Sequence, residues 1–257
     1  MLSGKKGSGK STLLNHLMFY IFDQKNYDIN KNKLINRSPF YSQFVNNIYS
    51  NIIYLSGSDY KNIKVDDIRN LKNKIFQSSI LDKPRFIIFD DIELFNNNSL
   101  NALLKIIEEP TKNNFFLIIN NKTKPLIDTI KSRCLDIKLI LSEDHRQKII
   151  KSLVREFNVD IVLNQNQTQL TPGFFIKLNY ILKKYEISTQ NEYLKNLTML
   201  LNLYKKNKET IFIDTIKFLT DNYFIQLKNT NSFTKDQIIE YKKFVFKDIN
   251  NFFLYNL

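Results

Sequence analysis

Residues 4–11 read Gly4-Lys5-Lys6-Gly7-Ser8-Gly9-Lys10-Ser11, and they satisfy the pattern G-x-x-x-x-G-K-[ST] at every defined position. The chain has only five glycines, and three of them stand in this stretch. Glycine permits positive φ and leaves the backbone uncovered, so successive N–H groups can turn toward one anion. In such a loop Lys10 reaches the β- and γ-phosphates of a nucleotide, and the Ser11 hydroxyl is placed for Mg²⁺. Gly4, Gly7, Ser8, Gly9, Lys10, Ser11 and Thr12 are therefore the candidate phosphate-binding residues. The alternative is a glycine turn that fits the pattern by accident.

A phosphate loop needs an acid on a neighbouring strand to hold the metal. Phe86-Ile87-Ile88-Phe89 is a continuous apolar run, as in a strand buried on both faces, and it ends in Asp90-Asp91. Ligands of parallel sheets gather at the carboxyl ends of strands. Asp90 is thus the expected Mg²⁺ partner of Ser11, and Asp91 a candidate for orienting an attacking water. Phe115 to Ile119 forms a second apolar run and ends at Asn120, which is either a γ-phosphate sensor or an ordinary turn residue. Arg133, in Ser132-Arg133-Cys134, is either a surface residue or a finger inserted into a neighbour's nucleotide site.

The elements that must position these residues follow from periodicity. A helix is expected directly after the loop, with Leu13, Leu14, Leu17, Met18 and Ile21 as its apolar stripe and its positive end toward the phosphates. Met1-Leu2-Ser3 reads as the tail of the strand feeding the loop, and Ile52-Ile53-Tyr54-Leu55 as another strand. Val65, Ile68, Leu71 and Ile75 follow helical spacing, with Asp66 and Asp67 in the first turn. Leu100, Leu103, Leu104 and Ile107 do so too, before Pro110 stops the helix. Leu135 to Leu139 alternates like a strand near a sheet edge. Strands alternating with helices predict a parallel sheet covered by helices. After residue 141 the pattern is helical. Ser142 is a candidate cap for a helix carrying Ile149, Ile150, Leu153, Val154 and Phe157. Leu194, Leu197 and Leu201 form a later stripe, Ile216, Leu219 and Tyr223 another, and Thr234 with Gln237 a capping box.

The 257 residues carry a formal net charge of +13. This charge fits a nucleic-acid partner, and it fits equally the Lys-, Asn- and Ile-rich composition of an AT-rich genome. One cysteine, Cys134, and two histidines, His16 and His145, leave no disulfide framework and no Cys/His zinc cluster within the chain. Met1 is followed at once by the phosphate loop, with no secretory signal, and no uncharged run approaches the length that spans a bilayer. A soluble, cytoplasmic protein without membrane contact is expected.

Together the residue strings resemble the bacterial DNA polymerase III clamp loader, an AAA+ family. They are the loop at 4–11, Asp67-Ile68-Arg69 opening a helix, Asp90-Asp91, Leu100-Asn101-Ala102-Leu103-Leu104-Lys105 leading into Glu108-Glu109-Pro110, and Ser132-Arg133-Cys134. The similarity covers about residues 1–141 and is closer to the delta-prime subunit than to the gamma/tau motor. It implies an α/β AAA+ P-loop nucleotide-binding domain over 1–141, a small helical lid over 142–186 and a helical collar over 187–257. It further implies ATP and Mg²⁺ as cofactors, and a hetero-oligomer with the motor (gamma/tau) and delta subunits. That complex places the sliding clamp on primed DNA. Arg133 would then be the finger given in trans by a stator.

Three departures stand out. The family commonly carries four zinc-binding cysteines between the loop and the acid strand. None stands here, so no zinc is expected. The segment that commonly precedes the loop and helps hold adenine has no counterpart, so either the gene starts further upstream or the adenine pocket is incomplete. Phe174 and Phe175 follow Pro172-Gly173, where the lid helix commonly carries an arginine. With Asp91 in place of a glutamate, the expectation is a nucleotide-competent, hydrolysis-poor subunit. An active gamma/tau-like ATPase is the alternative. A small phosphoryl-transfer enzyme such as a kinase would explain only residues 1–20.

Overall fold

Five parallel strands, β4 (Ile52–Ser56), β5 (Arg85–Asp90), β6 (Asn114–Asn120), β1 (Leu2–Ser3) and β7 (Ile137–Lys138) in that spatial order, carry the first half of the chain in the computed structural model. The structure describes all residues except 31–32, 35–36, 59–64, 77–82, 111, 164–168, 188–191, 229–233 and 256–257. The chain divides into two units, Met1–Lys148 with Thr171–Gly173, and Ile149–Leu170 with Phe174–Leu257.

In the first unit, β1 is only Leu2–Ser3, yet it lies between β6 and β7. It leads through the loop into α1 (Lys10–Phe22), then a short antiparallel pair, β2 (Tyr27–Asp28) and β3 (Lys33–Leu34), and α2 (Pro39–Val45). Ser38 caps α2, its hydroxyl accepting from Tyr41 N at 3.0 Å, with Pro39 in the first turn where its missing N–H costs nothing. There follow β4 (Ile52–Ser56), α3 (Val65–Phe76), β5 (Arg85–Asp90), α4 (Asn97–Glu108), β6 (Asn114–Asn120), α5 (Asp128–Lys131) and β7 (Ile137–Lys138). The surroundings of the Val65 and Asp66 side chains lie outside the described residues.

All six residues of β5 are buried, as its unbroken apolar run requires. Side chains alternate across a strand, so Ile87 and Phe89 enter a core with Leu100 and Leu103 of α4, while Phe86 and Ile88 face Leu14 and Met18 of α1. Two apolar lines run side by side along α1, and only one is used. Leu14, Met18 and Phe19 are buried, whereas Leu13, Leu17 and Ile21 are exposed, so the expected stripe is corrected by one flank. The aromatic ring of Phe40, edge-on to Phe19 at 4.9 Å, holds the buried side. β7 is an edge strand, and Ile137 on it is 54% exposed.

The second unit is helical. α6 (Glu143–Phe157) begins in the first unit, with the Ser142 hydroxyl accepting from His145 N. It is followed by α7 (Pro172–Lys184), α8 (Tyr193–Asn207), α9 (Thr210–Lys228) and α10 (Lys235–Tyr255). One apolar cluster joins Ile150, Phe175, Leu178, Leu200, Phe212, Ile216 and Ile249. Asn179 is fully buried. Its carbonyl accepts from Val162 N and Leu163 N, and its amide donates to Phe175 O, so a non-helical stretch is tied to α7. The Thr234 and Gln237 capping box forms in both directions. On α8 the buried line is Asn196, Leu200 and Tyr204; of the expected stripe, Leu197 and Leu201 pack partly buried against this core, while Leu194 is 73% exposed. Among the described residues no helix is long and apolar enough to cross a membrane.

This packing sets a test. Leu200→Ala should cost about 2–5 kcal/mol, because it leaves a cavity, whereas Leu194→Ala should stay within about 0.5 kcal/mol. Urea unfolding followed by circular dichroism measures both.

Candidate functional site: a phosphate loop facing a strand-end acid

The loop curls because Gly7 (φ 80°) and Gly9 (φ 98°) take left-handed conformations. Lys10 closes it. Its ammonium donates to the carbonyls of Gly4 and Lys5, each at 2.9 Å, and lies 3.4 Å from Ser8 Oγ. The loop is also held from outside. Gly4 N donates to Asn120 O, Thr171 Oγ1 to Lys6 O at 2.6 Å, and Gly173 N to Gly7 O at 2.9 Å. Ser11 and Thr12 are exposed in the first turn of α1, where helix N–H groups have no partner within the helix.

Opposite the loop stands Asp90, at the end of β5 and only 8% exposed. Its carboxylate takes hydrogen bonds from four directions. Tyr54 Oη donates at 2.6 Å, Asp91 N at 2.8 Å, and Ser11 Oγ and Asn121 Nδ2 each at 3.4 Å. Asp91 turns the chain with φ 49°, in the left-handed region that Asp tolerates better than most residues. The turn leaves no room opposite it. A Cβ on Gly57 would lie 2.5 Å from Asp91 O.

Asp91 is buried and accepts at 2.6 Å from Asn121 Nδ2. Glu93, also buried, accepts from Asn121 N, Thr123 N and Thr123 Oγ1. Asn120 faces elsewhere, its side-chain carbonyl accepting from Lys122 N at 2.9 Å. The structure therefore puts Asn121, not Asn120, against the two acids. Asn120 is the last residue of β6, and Asn121 lies in the turn beyond it, which Glu93 holds through Asn121 N, Thr123 N and Thr123 Oγ1.

Tyr54, Glu93 and Asn121 are the residues that sequence reasoning missed. The Asn-Asn pair was the one visible signal. Tyr54 and Glu93 act on partners 36 and about 30 positions away, so no local pattern marks them. Arg133 sits apart from this cluster on the turn after α5. It pairs with Glu108 at the end of α4 and donates to Thr129 O at 2.9 Å.

Ser11 and Asp90 fit a Mg²⁺ ion. They are two hard oxygen donors 3.4 Å apart, at a loop shaped for phosphate, and such an ion keeps much of its shell for water and phosphate oxygens. Among the described residues no three His, Cys, Asp or Glu side chains form a metal-holding group of their own.

Burial is the main cause that lowers the Lys10 ammonium from its ordinary 10.5, and Lys122 adds to it. Asp90, Glu93 and Asp91 oppose the shift. The unfolded chain holds this proton more tightly than the folded one between the lowered value and 10.5. This residue's contribution to stability should therefore rise with pH across that window. Urea unfolding in steps up to pH 10.5 should show the rise in the native chain, and Lys10→Met should lack it. Asn121→Ala removes a hydrogen bond to a buried carboxylate and should cost about 1.5–3 kcal/mol in the same measurement, with Asn120→Ala costing less.

Comparison with known proteins places this site in a lineage. Residues 1–143 match the family described as "DNA polymerase III, delta subunit". The DNA polymerase III subunit delta' of Buchnera aphidicola subsp. Baizongia pistaciae is 31% identical over 52% of this chain and 41% of its own length. The DNA polymerase III subunit gamma of Buchnera aphidicola subsp. Schizaphis graminum is 27% identical over 86% of this chain and 60% of its own. The chain thus spans about half the length of these relatives. Among solved structures, a gamma-subunit-related protein of Thermotoga maritima aligns with a TM-score of 0.46 and 17% identity, over 100% of this chain and 88% of that one. With more than half of its residues matched, loop and strand-end acids included, the chain belongs to the DNA polymerase III, delta subunit family.

Proposed function

We propose that this chain is a delta-prime-like subunit of the DNA polymerase III clamp loader. In this reading it binds ATP, hydrolyses it poorly, and serves the ATP-driven loading of the sliding clamp onto primed DNA as stator and finger donor. It acts in the cytoplasm within a hetero-oligomer of motor and delta subunits, with residues 1–141 as nucleotide-binding domain, 142–186 as lid and 187–257 as collar.

One observation carries the hydrolysis-poor part. The loop is complete, but the acids beyond Asp90 are occupied. Asp91 is buried under the Asn121 amide, and Glu93 is held by three donors from residues 121–123. In this reading these hydrogen bonds keep both from orienting a water, the role expected of Asp91. The residue two beyond Pro172-Gly173 adds to this, because Phe175 is fully buried in the helical unit's own core and offers no cation.

The mechanism for ATP follows from the chain's own groups. The loop N–H groups and the α1 N-terminus would take the β- and γ-phosphates, with Lys10 leaving the loop carbonyls for phosphate oxygens. Ser11 and Asp90 would hold Mg²⁺, which supplies charge neutralisation on those oxygens when bound. Asn121, tied to both acids, would sense the γ-phosphate in the role expected of Asn120. Arg133 would leave Glu108 to enter the neighbouring subunit's ATP site, which is open to an exposed side chain on a short turn.

A gamma-type active ATPase is the second reading, favoured by the gamma relative's longer match. Turnover assays of the purified chain, alone and with a motor subunit, clamp and primed DNA, separate the two. We expect little turnover alone. In the mixture, Arg133→Ala should lower stimulated turnover by about 10³-fold or more at that one site, with assembly intact. Robust turnover alone, abolished by Lys10→Ala, would establish the second reading.

A further inference from the structure

On the sheet face opposite α1, beside β7, lies a pocket of about 560 Å³ that borders the loop–acid cluster, sharing Thr123 and the Asn120 strand end with it. Ser3, Asn120 and Lys138 are register partners on three adjacent strands, so their side chains share this face. The loop after β6 adds Lys122 and Lys124, and α5 adds Lys131; Asp136 is the one acid in the lining. Lys122, Lys124 and Lys138 are exposed and have no ion-pair partner among the described residues, while Lys131 pairs with Asp128 at 2.9 Å.

On the floor of the pocket the Ser3 side chain is 1% exposed, and its hydroxyl has no hydrogen-bond partner among the described residues. A buried hydroxyl left unpaired is costly, and a ligand that it can serve explains its retention. The ligand must be anionic to satisfy the lysines and must offer oxygen acceptors to the hydroxyl. The volume suits a group of phosphate size or several such groups in series.

We propose that this pocket is a second anion site, distinct from the phosphate loop, that takes phosphate groups. The same chemistry is offered by the backbone of a nucleic-acid strand and by a free polyphosphate. The site does not depend on the clamp-loader reading, since it rests on the pocket alone.

Two probes separate the sources, a fluorescein-labelled oligodeoxythymidine in anisotropy and tripolyphosphate in thermal shift. Each is applied to the native chain, to Lys124→Glu/Lys138→Glu, and to Lys148→Glu/Lys151→Glu. The last carries the same net charge, altered outside the pocket. If a strand's backbone is the ligand, the pocket variant should bind the oligonucleotide about tenfold more weakly than the control variant. Its salt dependence should also be shallower by about one to two phosphate contacts. If a free polyphosphate is the ligand, only the tripolyphosphate shift should fall, to the part that the intact phosphate loop supplies, in that variant and in Ser3→Ala, and it should vanish when either is combined with Lys10→Ala. Circular dichroism and urea unfolding, unchanged in both lysine variants, report that they fold; Lys124→Gln/Lys138→Gln replaces the charge reversal if they do not. Pocket and control variants that behave alike with both probes would overturn the proposal.

Discussion

The Asp90 carboxylate is where four stretches of the chain meet. Ser11 arrives from α1, Tyr54 from β4, Asn121 from beyond β6, and the Asp91 amide from its own turn. A carboxylate with 8% exposure persists only if its charge is met by donors, and hydrogen bonds to a charged acceptor are among the stronger ones. The requirement works backward on the fold. β4, β5 and β6 must end level with one another, which their parallel register achieves by pairing Ser56 with Asp90 and Phe89 with Ile118.

The phosphate loop answers to the same centre. A buried ammonium needs negative charge nearby, and Asp90, Glu93 and Asp91 supply it to Lys10. The loop carbonyls of Gly4 and Lys5 complete its hydrogen bonding. The basic loop and the acidic strand end therefore balance each other. A polyphosphate would take over the carbonyls' part, and a cation between Ser11 and Asp90 would take over part of the lysine's.

Glu93 shows how far such a centre spreads. Its charge acts on Lys10 of the loop, and it also accepts three hydrogen bonds from residues 121–123 and so fixes the turn that aims Asn121. The rigid strand end and the turn beyond β6 are one hydrogen-bonded piece. The lysine-lined pocket opens on the other side of that turn, which thus borders two anion-seeking surfaces of one sheet.

Features that depend on neighbours along the chain can be read from the residues alone. The phosphate loop is a string of adjacent residues whose glycines and lysine carry their own geometry. β5 announces itself by an unbroken apolar run, and α10 by Thr234 and Gln237. Family membership was legible for the same reason, because its motifs are short contiguous strings. Features that depend on the facing element are fixed by packing in the folded chain. On α1 and α8 several apolar lines satisfy helical spacing, and the partner surface selects Leu14–Met18 over Leu13–Leu17, and Leu200 over Leu194. Asn121 rather than Asn120 meets the acids because the turn beyond β6, held by the distant Glu93, aims it there. Tyr54 and Glu93 stayed invisible because hydrogen bonds between residues some thirty positions apart leave no trace in local spacing.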